Sequence, residues 1–201
     1  MARPKATQAQ KDAVQLKIRQ AAADLYREQG VANLTARAIA QRAGVSVGTI
    51  YVHFGSLSSL ARSLWQGPVE RFEQQLKDIA QRVERPVDRV RALLEAYLQF
   101  ARANPEVYRG AFLFVRPLAE EAPPREPFAT STFAALLIDA IEAGCRAGDL
   151  AVVDVPAQAQ FMWASLHGHI ALPINLDRFE WAHCSDQVVV DGLLARLDRR
   201  T

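Results

Sequence analysis

The chain has little of what usually announces chemistry. Its two cysteines, Cys145 and Cys184, match no metal-binding or redox spacing. Two lone thiols fit a reducing compartment, so the cytoplasm is the expected location. No stretch of about 18 apolar residues occurs, which excludes a membrane-spanning helix, and no charged-then-apolar segment of the secretory kind is seen. A phosphate-cradling glycine loop is missing and no Ser/His/Asp spacing stands out, so neither catalysis nor a cofactor is expected. There is no internal repeat, and no convincing apolar–polar alternation that would mark a strand. What is present is 201 residues, half of them apolar. That suffices for one large core or for a small head on a larger body.

Helical patterns separated by breakers fill this length, so the expected fold class is all-α. A first helix over residues 11–29 stops at Gly30 and turns Ile18, Ala22, Leu25 and Tyr26 to a core. A long pattern runs from Leu57 to Glu84, and another from Pro86 to Ala103. Asn104-Pro105, a cap and a first-turn proline, opens a helix to about Phe114. Arg116 to Pro127, with four prolines, reads as a loop. Helix resumes from Phe128 to Ala147 before Gly148, from Asp154-Val155-Pro156 to about Leu172 before Pro173, and from Ser185 to Arg199. Within the long pattern, Gly67-Pro68 predicts a kink or a break, because a proline there loses a backbone hydrogen bond and clashes with the carbonyl of Leu64.

The densest information lies in Leu34–Phe54, LTARAIAQRAGVSVGTIYVHF. Ala36, Ile39, Ala40 and Ala43 recur at helical spacing, with Thr35 placed to cap the helix. Gly44 suits a left-handed terminating residue, Val45 can plug the gap that follows, and Ser46 can cap a second helix. In that second helix Ile50 and Phe54 point inward, so Gly48, Thr49 and Val52 point out, with Tyr51 and His53 on the flanks. Arg37 and Gln41 share the solvent side of the first helix. A helix of about eight residues does not stand alone in water. One held by its neighbours with a small face presented outward has the form of a helix-turn-helix DNA reader.

On these residues the chain resembles the TetR family of transcriptional regulators. The similarity runs from about Ile18 to Leu64 through IRQAAADLYREQG and AGVSVGTIYVHF. It implies that Thr35 and Arg37 contact phosphate and base, that Val47, Gly48 and Thr49 face the bases, and that Tyr51 and His53 meet phosphates. Leu57 stands where the family commonly carries a lysine, so one phosphate contact is expected to be missing and the amino-terminal arm to matter more. The resemblance implies a three-helix head and arm over residues 1–56, and a helical ligand-binding and dimerisation body over 57–201. The helix carrying Gly67-Pro68 then links the two, as a static kink or as a hinge.

Charge is divided in the same sense. Residues 1–54 hold eight Lys/Arg against three Asp/Glu, a net +5, whereas residues 55–201 hold sixteen against nineteen, a net −3. A basic head on a mildly acidic body suits one part that meets nucleic acid and one that does not. Arg3, Lys5 and Lys11 are expected in an unstructured arm.

In the body, Phe161, Ala164, Gly168 and Leu172 form one small-residue face, and Val189, Gly192 and Arg196 lie beside the core stripe of the last helix. The family pairs its last two long helices with those of a second subunit, which makes these seven the expected homodimer surface. The spacing of Trp163, His167 and Gly168 is similar to a carboxy-terminal subclass named for Trp-His-Gly. A pocket for a small apolar molecule is expected among Tyr97, Phe100, Tyr108, Phe112, Trp163 and His167, with His167 alternatively a core histidine. Arg146 could hold an acid or a helix terminus. The implied function is a ligand-responsive regulator, most simply a homodimeric repressor released from a palindromic double-stranded operator. The alternative is a zinc or small-molecule protein using His167 or His169 with His183 and Cys184. The two helical histidines point about 200° apart and cannot share one ion.

Overall fold

The computed structural model describes residues 7–30, 34–112, 126–176 and 178–197. Among them every regular element is helical: α1 Gln8–Gln29, α2 Ala36–Ala43, α3 Val47–Phe54, α4 Leu57–Arg82, α5 Pro86–Ala103, α6 Pro105–Phe112, a 3-10 turn Phe128–Thr130, α7 Thr132–Ala147, α8 Val155–Asn175 and α9 Asp186–Ala195. The all-α expectation holds. The chain divides into two compact units, one of Met1–Val69 with Glu106–Glu121, the other of Glu70–Pro105 with Ala122–Thr201.

The first unit is built on α1, which crosses α2 and α3. Its core takes Ile18, Ala22, Leu25 and Tyr26 from α1, Ile39 and Ala43 from α2, Ile50 from α3, and Leu60 and Trp65 from α4. α1 begins earlier than the apolar pattern suggested. Thr7 and Gln10 form a reciprocal capping box, which satisfies amides that would otherwise be orphaned and winds Lys11 into the helix. Lys11 is therefore not part of an unstructured arm; Arg3 and Lys5 lie outside the described residues. In the second unit α5 is the central element, packed by α7, α8 and α9. It buries Val90, Leu93, Leu94, Tyr97 and Leu98 almost completely.

Neither proline breaks its helix. α4 continues unbroken through Pro68, and α8 continues past Pro173 to Asn175 rather than stopping at Leu172. A proline removes one i to i−4 bond, and a helix whose flanking turns are packed can absorb that loss. Phe128 belongs to a 3-10 turn and the α-helix proper starts at Thr132. The last helix ends at Ala195, short of the expected Arg199, with Arg196 and Leu197 already in a turn; the expected end of α6 at Phe114 and most of the Arg116–Pro127 loop lie outside the described residues.

Candidate functional site

α3 is aimed by its turn. The Thr35 hydroxyl accepts from the Ala38 amide at 3.2 Å, and the Ser46 hydroxyl accepts from the Thr49 amide at 3.0 Å, so both helices begin with a satisfied terminus. Gly44 between them sits at φ 60°, ψ 41°, where an L side chain is strained, and its N–H reaches back to the carbonyls of Ala40 and Gln41. Val45 packs onto the head core, and Ile50 is wholly buried while Phe54 is partly so. With the inward face fixed at Ile50, the outward face follows.

That face is small and only weakly polar. Val47, Gly48 and Tyr51 are exposed, and Val52 projects furthest, 84% exposed. Thr49 is half-buried, its hydroxyl 2.8 Å from that of Ser46, so in this state it is engaged at the start of its own helix. His53 is half-buried, with its backbone carbonyl accepting from the Gln15 side chain at 3.3 Å. Thr35 and Arg37 are exposed at the start of α2. Helical spacing also points Val52 outward, although it is not among the contact positions that the family resemblance implies.

The segment that carries this face has formal charge of one sign. No Asp or Glu occurs between Glu28 and Glu70. Two of the head's acids are occupied by cations: Glu28 holds Arg42 through two bonds of 2.9 and 2.6 Å, and Asp24 holds Arg27 at 2.5 Å. The hydrogen bond from Arg42 keeps the Glu28 carboxyl below its ordinary range. Lys11, Lys17 and Arg37 make no ion pair among the described residues. Such a surface suits a polyanion, the cations supplying affinity and the α3 side chains the contact. Leu57 is half-buried against the head core, a packing residue where a phosphate contact would need a cation.

The residues expected to hold a small molecule fall into two groups. Tyr97, Phe100, Trp163 and His167 come together in the second unit. The Tyr97 hydroxyl is 3.2 Å from His167 Nδ1, and Phe72 stacks on Phe100 at 4.3 Å. Phe128 and Phe133 each lie 5.5 Å from Trp163. Burial lowers the pKa of His167 below the ordinary histidine value. Tyr108 and Phe112 lie in the first unit instead, their rings stacked at 5.3 Å. Arg146 pairs with Glu142 at 3.4 Å, one turn back on α7.

Of the expected dimer residues, Phe161, Ala164, Leu172, Gly192 and Arg196 are exposed, while Gly168 and Val189 are half-buried. The Arg196 guanidinium lies 4.7 Å above the Phe161 ring, which joins the two helices at their outer surface. Val188 on α9 is also 61% exposed and lies outside the expected set, because the core stripe of that helix masks the apolar residue beside it. The histidines of the zinc alternative do not converge. His167 faces Tyr97, and His169 Nε2 lies 2.9 Å from Asp186. Among the described residues no group of three His, Cys, Asp or Glu side chains is placed to hold a metal, and no helix is long and apolar enough to cross a membrane.

Residues 18–64 match the sequence profile of the bacterial regulatory proteins of the tetR family, and residues 90–196, just over half the chain, match that of the Tetracyclin repressor-like carboxy-terminal domain. The carboxy-terminal match carries that description and not the Trp-His-Gly one suggested by spacing. The nucleoid occlusion factor SlmA of Haemophilus ducreyi is 35% identical over 89 residues, 42% of each chain. The HTH-type transcriptional regulator SAB2452 of Staphylococcus aureus is 31% identical over 96 residues, 47% of this chain and 52% of that one. The chain thus spans about half the length, or less, of these curated relatives. In fold, the transcriptional regulator FadR of Bacillus subtilis, solved with stearoyl-CoA, is similar over 92% of this chain and 97% of its own, with 15% identity and a TM-score of 0.64.

Proposed function

The chain belongs to the TetR family of bacterial regulatory proteins, DNA-binding transcriptional regulators built of helices, and from that premise we propose that it is a homodimeric, ligand-responsive repressor acting in the cytoplasm. Residues 1–56 serve as arm and DNA-binding domain, and residues 57–201 as the ligand-binding and dimerisation domain. Two copies of α3 enter successive major grooves of a palindromic operator, about 34–36 Å apart. Thr35, Arg37, Tyr51 and His53 position the head on phosphates, while Val47, Gly48 and Thr49 approach the bases. The observation that carries this reading is the capped, outward-facing α3 in a stretch of sequence without a carboxylate.

The exposed apolar surface of Phe161, Leu172 and Val188 supports a second copy as the mate of α8 and α9. The aromatic group of Tyr97, Phe100 and Trp163 with His167 supports an effector with a largely apolar body, in keeping with the acyl-CoA bound by the fold relative FadR. An effector shifts DNA affinity by its differential affinity for the two forms, typically about 1–3 kcal/mol. Mobility-shift titration of the DNA next to the protein's own gene tests the reading. A specific shift is expected at low salt. Its absence with folded protein counts against DNA recognition itself.

A further inference from the structure

α3 is short and deeply anchored near its middle. It spans eight residues, Val47–Phe54, and is about 12 Å long at the usual helical rise. Ile50 is wholly buried, whereas Phe54 packs on the head core only in part. A rod pinned near its midpoint can tilt about that point, and its outward side chains then move relative to whatever they touch. Recognition tolerates little of this, with contacting side chains held to within about 0.5 Å and about 10–20°.

The two ends of α3 are held in different ways. At the start, Ser46 caps the helix and Val45 packs onto the head core. At the end, Gly55 sits at φ 74° and gives its N–H to the Tyr51 carbonyl at 2.9 Å. The last carbonyls of a helix have no following turn to accept from. That of His53 accepts instead from the side-chain amide of Gln15, 3.3 Å away and 38 residues earlier in the chain.

Gln15 reaches this carbonyl from a fixed base. It is half-buried on α1, next to Val14, which packs against the head core. Two residues further on, the Lys17 ammonium lies 3.6 Å from where a Cβ on Gly44 would stand. α1 thus passes both the turn that opens α3 and the turn that closes it.

We propose that Gln15 is a positioning residue for DNA recognition, its amide fixing the tilt of α3 through the His53 carbonyl. The assignment rests on the DNA-binding function proposed for the head. Gln15 acts through α3 and touches neither base nor phosphate. Its effect falls on sequence discrimination. Base contacts depend on how α3 lies in the groove, whereas phosphate contacts on an arbitrary duplex tolerate a small tilt.

The test measures the affinity of the full-length protein for a duplex from beside its own gene and for a scrambled duplex, and takes the ratio. A change of protein charge weighs alike on both duplexes and cancels. Gln15→Met keeps the length and helix propensity of the side chain without a donor, Gln15→Glu also lacks one at neutral pH, and Gln15→Lys retains one. The ratio is expected to fall about fivefold in the Met and Glu variants and to stay within about twofold of wild type in the Lys variant. Without DNA, amide hydrogen exchange in α3 is expected to quicken in the first two and not in the third. The proposal is overturned by a wild-type ratio in both donorless variants, by equal loss in all three, or by α3 exchange that none of them changes. A wild-type protein with no preference between the duplexes contradicts the regulator reading itself, whereas a wild-type preference that the donorless variants keep contradicts only the role of Gln15.

Discussion

Two surfaces of this molecule expose apolar side chains, and what surrounds them separates their uses. On α3, Val47, Tyr51 and Val52 stand out from a stretch of sequence without acids, in a head whose Lys11, Lys17 and Arg37 make no ion pair among the described residues. On α8 and α9, Phe161, Leu172 and Val188 stand out beside charges already satisfied within the fold, with Arg91 held by Asp191 at 2.7 Å and Arg102 by Asp186. Neutral apolar surface ringed by internal ion pairs is suited to another protein surface. Apolar surface ringed by free cations is suited to nucleic acid. Exposure alone distinguishes neither, since single exposed apolar residues are ordinary.

The largest effect is expected in the body. Leu172→Glu places a charge in the proposed mating face and is expected to give folded monomers by sedimentation. Operator affinity then falls about 10²-fold or more, because the second head no longer binds at high effective concentration. On the other surface, Tyr51→Ala is expected to weaken binding about tenfold on every sequence, with thermal unfolding unchanged, as a lost phosphate contact should. Unequal loss between sequences would make Tyr51 a reader instead.

Ser46→Ala removes the cap of α3 and is expected to lower head stability by about 1 kcal/mol in denaturant titration. Val52→Ala should leave stability alone and alter discrimination at one operator position by up to about 1 kcal/mol, by removing apolar contact with a thymine methyl. A scan of operator variants reads that difference directly. The smallest effect concerns pH. Burial lowers the His167 pKa below 6.5, so the unfolded chain binds the proton first as pH falls. Stability is level above about 6.5, declines as pH drops towards the folded value, and levels again below it. His167→Gln should flatten that decline.

Much of the head was legible because its signals are local. Thr35, Gly44 and Ser46 each act within four residues, and the inward pair Ile50 and Phe54 sets the direction of α3 from spacing alone. The body was legible as helices but less so as surfaces. Pro68 and Pro173 read as interruptions because the cost of a proline is local, whereas the packing that offsets it comes from residues distant in sequence. Tyr108 and Phe112 were grouped with Tyr97 and Trp163 by aromatic character, and spacing could not reveal that they sit in the other unit. The burial of Trp65 against Tyr26, and the room that Gly110 leaves for its ring, are likewise properties of three-dimensional surroundings.

The proposed function requires the outward face of α3 to recognise a particular DNA sequence. The most direct measurement is fluorescence anisotropy of the intact protein on a duplex from beside its own gene and on a scrambled duplex of equal length, across a salt series. Binding to the natural duplex is expected to be about 10³-fold or more tighter than to the scrambled one, with both weakening as salt rises. Equal affinity for the two duplexes at every salt concentration, with the protein folded, would contradict it.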